Sequence, residues 1–196
     1  MLRDLAAQEV WFGLLVVAAV SLADYHLSVV GLRWFKRGAS EHYDLGGSYE
    51  LNPPFQADVD AERLISPRHL FAVVRMLVVL FGCWWFTARL GRLVWLYEGL
   101  LGFLVLTIVP ALVRHVQNIA VFRSVALRGG VEGKTTIPRW MDLKVSGVVF
   151  WAWAGVYLLM WVLSGMPLFV GGAVGTSLAG ARFWIFGTEQ HPSRDP

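Results

Sequence analysis

Residues 10–32 read VWFGLLVVAAVSLADYHLSVVGL, an apolar run long enough to cross a bilayer as a single helix. One carboxylate, Asp24, interrupts it. A charge at that depth is costly unless it is paired, so an acid inside a span marks a candidate functional site. Ser21-Leu22-Ala23 has the small residues of a signal-peptide cleavage site. The run nevertheless continues to Leu32, and its head carries Asp4 and Glu9 beside a single Arg. Retention as a helix is therefore expected.

Composition points the same way. Apolar residues make up 56% of the chain and charged residues 16%, against roughly 25% charged in an average soluble domain. Trp11, Trp34, Trp84, Trp85, Trp140 and Trp184 lie near the ends of apolar runs, as an interfacial aromatic belt requires. The basic residues flank hydrophobic segments, which speaks for orientation in a membrane and against nucleic acid as a partner. Cys83 is alone in an apolar run, so neither a disulfide framework nor a cysteine zinc site is expected.

The expected fold is all-α, a polytopic transmembrane helical bundle forming a single domain. Its spans fall at about 10–32, 70–90, 93–113, 145–163 and 168–186, with a polar loop at 33–66. Ser66-Pro67 reads as an N-cap followed by proline at the first helical position. The third helix is expected to run past His115 and Asn118 until Gly129-Gly130 stops it. Gly91-Arg92 lies in the turn between the second and third spans, and the closing glycine-rich hairpin could be re-entrant. The loops after the first and third spans carry Arg33, Lys36, Arg37, Arg63, Arg68, Arg123, Arg128, Lys134 and Arg139. The other side has little beyond Arg3, Arg89 and Arg92. The positive-inside rule thus predicts a multi-pass protein of the cell (inner) membrane, N-terminus outside and C-terminus cytoplasmic.

Ser21, Asp24, Ser28 and Gly31 recur at helical spacing and share one small, polar stripe. His26 lies about 200° from that stripe and reads as an interfacial residue. Arg75 sits about 8 Å inside the cytoplasmic end of its helix and Asp24 about 12 Å inside the same end, so the two are expected to form one electrostatic unit. Snorkelling is the alternative for Arg75, and the preferred reading for the shallower Arg182. Gly82, on the Arg75 face, would allow close packing there. In Glu50-Leu51-Asn52-Pro53 the proline holds Asn52 out of helical geometry, so Glu50 and Asn52 can aim at one site from extended backbone. His69, His115 and Asn118 fall at the same boundary, the last two an i, i+3 pair on one helix face. Glu98, beside Trp95 and Tyr97 near the other boundary, reads as an exposed interfacial acid.

Asp24, Ser28 and Gly31, followed by Glu50-Leu51-Asn52-Pro53 and a cation in the next helix, resemble a family of small bacterial and archaeal membrane domains of unknown function. That pattern is Asp-x-x-x-Thr, a glycine, Glu-x-Asn-Pro, and then a helix carrying Lys. The resemblance covers the first two spans. This chain has Ser28 for Thr, Arg75 for Lys and a longer segment between Gly31 and Glu50. The resemblance implies that acid, turn and cation belong together, and it supplies no activity.

Residues 129–135 suggest a phosphate loop, but Arg128 stands where its first glycine belongs and no strand precedes it. Gly171, Gly175 and Ala179 read as a helix-packing face. Glu50, His69 and His115 come from three segments without zinc-ligand spacing, so no structural metal is expected. No pattern identifies a cofactor. Three functions remain open. One is binding or transport of an ion or small polar ligand by Asp24, Ser28, Glu50, Asn52, Arg75, His115 and Asn118, with transport implying a homo-oligomer. The second is a scaffold or accessory subunit of a partner membrane protein. The third is a membrane enzyme acting on a lipid headgroup or phosphate.

Overall fold

The computed structural model describes residues 10–90, 93–129 and 132–190. It contains helices α1 (Val10–Trp34), α2 (Pro53–Asp60), α3 (Pro67–Leu90), α4 (Val94–Arg128), α5 (Arg139–Ser164) and α6 (Pro167–Glu189). All but α2 are long and apolar enough to cross a membrane. The chain is therefore a five-span helical bundle, and the closing hairpin is two full-length helices. The Gly91-Arg92 turn, Gly130 and the end of the polar tail lie outside the described residues.

Local chemistry sets the helix ends. The Ser66 hydroxyl accepts from the His69 N–H at 3.1 Å, which caps α3 ahead of Pro67. Gly165 takes φ +66° and closes α5, so Met166-Pro167 can start α6 after a minimal turn. The helical path continues beyond residue 33, where a polar loop was expected. A wide π turn over Phe35–Ala39 leads to a last helical turn at Ser40–His42. Gly38 makes that path possible, because its α-carbon packs against the backbone of Ala126 in α4.

Helix α4 is the hub, with α1 and α3 on one flank and α6 on the other; α5 packs mainly on α6. Glycines set how closely α6 approaches. A side chain at Gly171 would run into the Gly99 carbonyl, and one at Gly175 into the Thr107 hydroxyl. The packing face read from the sequence thus meets α4. Val17, Leu80, Tyr97 and Leu101 form the core where α1, α3 and α4 meet. Tyr25, Val29, Leu32 and Val59 fasten α2 against α1. Strands β1 (Tyr43–Asp44) and β2 (Thr135–Thr136) pair in parallel, Tyr43 opposite Thr135. The loops after the first and third spans are thereby joined at one end of the bundle. Outward faces are apolar, as lipid contact requires: Phe71, Val78 and Trp85 on α3, and Val148, Leu159 and Val162 on α5.

Candidate functional site

A cavity of about 230 Å³ lies at the end of the bundle that carries β1 and β2. It occupies the space beside α4 between α1 and α6, under the turn at residues 49–55. Its lining includes Asp24, Ser28, Glu50, Asn52, His115 and Asn118, so two helices and one loop deliver six expected site residues to one space.

Gly31 explains how the loop gets there. A side chain at residue 31 would overlap the Tyr49 hydroxyl, so the bare backbone admits the Tyr49 ring against α1. That contact brings the neighbouring Glu50 down beside Ser28 and His115. Asn52 is extended (φ −84°, ψ 107°), as Pro53 requires, and its N–H donates to Glu50 Oε1 at 2.8 Å. Burial pushes the Glu50 carboxyl above its ordinary pKa, against the lowering effects of the Asn52 N–H and the His115 imidazole. Burial likewise raises the Tyr49 hydroxyl to about 12.

His115 Nε2 lies 3.3 Å from Asp24 Oδ1 and 3.1 Å from Ser28 Oγ. Both contacts use the same ring nitrogen. A nucleophilic triad places serine and acid on opposite nitrogens, so these three residues do not form one. His115 Nδ1 and Asp24 Oδ1 are buried without a hydrogen bond. His69, only 7% exposed, also lines the cavity, beside Asp24 and the Ser21 backbone. Its ring stacks on Tyr25 at 4.7 Å and meets Phe55 edge-on at 5.3 Å.

Four sequence expectations need correction. Arg75 is exposed on the outer face of α3, absent from the cavity wall, and Asp24 faces His115 instead. Nothing packs near Gly82 on that same outer face. Arg182 does more than snorkel. It edges the cavity, with its guanidinium over the Phe186 ring and 3.5 Å from Asn52 Oδ1. Glu98 is buried, at 5% exposure. One lining cation was missed altogether. Arg114 donates to Asp142 Oδ1 at 2.6 Å and to the Ser146 hydroxyl, so its charge is already answered across α4 and α5. Among the described residues no three His, Cys, Asp or Glu side chains form a metal-binding group.

No family model matches the chain, and no curated protein or solved structure is significantly similar to it.

Proposed function

We propose that this protein binds a small ligand through a polar group, using Asp24, Glu50, Asn52, His115 and Asn118 at the cytoplasmic end of an inner-membrane bundle. One observation carries the reading: these groups line a single cavity, and two of their atoms, Asp24 Oδ1 and His115 Nδ1, are buried there without a hydrogen bond. Buried donors and acceptors left open cost free energy in the empty protein, and a ligand that answers them recovers it. The side assignment rests on the basic loops joined at this end.

A second reading, chemistry on the bound molecule, draws on the Asp24–His115 pair, which could exchange a proton with a ligand in the cavity. Binding is common to both readings and is tested first. Protein extracted from its own membrane with a polymer that keeps the surrounding lipid should release a stoichiometric small molecule on denaturation. Asp24→Asn and Asn52→Ala proteins should release markedly less of it. Identical contents in wild type and both variants would overturn the proposal.

A further inference from the structure

The cavity is graded along the helix axes. Toward the middle of the bundle its wall is Ile108, Ala111, Phe150 and Ala179. Toward the β1–β2 end it carries Asp24, Glu50, Asn52 and His115, with the Phe183 and Phe186 rings beside them. Thr107 adds no polarity to the inner half, since its hydroxyl is spent on the Phe103 carbonyl one turn back. Pro53 and Arg182 are the exposed members of the lining and mark the mouth. Helices α1 and α6 flank α4 without packing substantially on each other, so the mouth opens sideways between them. A site that is apolar toward mid-membrane and polar at the interface repeats the order of a lipid leaflet. A fully hydrated ion or sugar would leave the apolar half unanswered.

The polar half selects by charge. Asp24 and Glu50 are its acids, and the Arg114 cation beside them is neutralised by Asp142. The Tyr25 and Tyr49 rings stand next to the acids, which suits an organic cation more than an anion. His69 adds a buried imidazole to the same wall, beside Asp24. Arg182 at the mouth is placed for an anionic group further along the same molecule.

Resting on the binding role above, we infer that the occupant is an amphiphile whose polar end carries an ammonium group and whose hydrocarbon chain fills the apolar half. An ethanolamine phospholipid of the bilayer and a free long-chain amine share that chemistry. Arg182 favours the phospholipid.

The test is native mass spectrometry of the full chain in mixed micelles. The probes are dioleoyl phosphatidylethanolamine, the matching phosphatidylglycerol, dodecylamine and ethanolamine. The ethanolamine lipid should be retained about tenfold better than the glycerol lipid. Asp24→Asn should abolish the preference, and Ala179→Phe, which fills the apolar half without touching a charge, should reduce retention of both chain-bearing amines. Retention of dodecylamine with no preference between the two lipids would uphold the ammonium amphiphile and identify its source as a free amine. Ethanolamine bound as well as its lipid would overturn the amphiphile while the binding role stands. Equal retention of the two lipids without dodecylamine would overturn the ammonium. Retention of no probe, with a different molecule released from the native-membrane preparation, would overturn the inference alone. Retention of no probe and release of nothing would remove both.

Discussion

Glu50 combines two properties that pull against each other: it is ionisable, and the fold half-buries it in the cavity wall beside another acid, Asp24. The unfolded chain ionises Glu50 near its ordinary value of about 4.3, whereas burial raises it in the folded protein. Between those two values the unfolded chain has released a proton that the folded one keeps, so folded stability falls as pH rises through that window. Glu50→Gln removes this slope. Its melting temperature relative to wild type should climb as pH is raised from about 4 through neutrality, measured in one detergent across a buffer series. The groups facing Glu50 are Asp24, His115, Ser28 and the Asn52 N–H, and Ser28 and the N–H do not titrate in that range. Parallel profiles for variant and wild type would show that Glu50 is ionised as freely folded as unfolded. Residues of this kind were visible in the sequence because they break a local rule: an acid in an apolar run, a Pro-fixed turn, two polar side chains one helical turn apart. Arg75 broke the same rule and misled, because sequence fixes its depth but not its azimuth. The buried face of α3 is His69, Val73, Leu80 and Thr87, and Arg75 lies about 200° from Val73.

Element by element, α4 owes its central place to length and to glycine partners, and its tie to α5 runs largely through one polar contact. The Arg114 guanidinium reaches Asp142 and Ser146, and the Ser146 hydroxyl donates to the Asp142 carbonyl at 2.6 Å. Both charged side chains are less than one third exposed. Losing one partner strands the other charge, so Arg114→Gln and Asp142→Asn should each cost about 3 kcal/mol. The double variant should cost clearly less than their sum. Arg75→Gln, on the lipid-facing side, should change stability by no more than about 0.5 kcal/mol and add independently to Asp24→Asn. Denaturant titration of wild type and these six variants, the two doubles included, in one lipid–detergent mixture reads all of these, and additivity of Arg114 with Asp142 would break the proposed coupling. This pair was not legible in the sequence. Arg114 sits near the middle of a long helix and Asp142 in the first turn of another, and only the crossing geometry of α4, α6 and α5 brings them together. The helix boundaries at Ser66, Gly129 and Gly165 were legible, because capping chemistry is local.

For the whole molecule, the asymmetry of its two ends links charge, topology and site. Two rungs of parallel pairing and the Arg139 guanidinium, which donates to the Ser48 carbonyl at 3.0 Å, bind the loops after the first and third spans into one cap. The cap carries the turn that places Glu50 and Asn52, so the cavity and the basic loops share an end. Aromatic rings gather cations there: Arg37 and Arg123 stand 5.0 and 5.8 Å from the Trp34 ring, and Lys144 stands 5.2 Å from that of Trp184. At the opposite end Arg89 lies 4.5 Å from the Trp85 ring. The sequence supplied the span count and the charge bias, since both are sums over many residues. The joining of the two loops was beyond it, because a two-residue strand pair has no periodicity to read. If the basic end is cytoplasmic, single cysteines introduced in a Cys83→Ala background at Glu41 and Glu132 should react with an impermeant maleimide only after the cells are opened. One introduced at Ser164, in the turn between α5 and α6, should react in intact cells. Glu41, Glu132 and Ser164 are all exposed, so access is decided by the membrane and not by the fold. Labelling of Glu41→Cys and Glu132→Cys in intact cells with Ser164→Cys protected would invert the protein and put the cavity at the outer leaflet. Opposite labelling of Glu41→Cys and Glu132→Cys would be incompatible with the β1–β2 pairing itself.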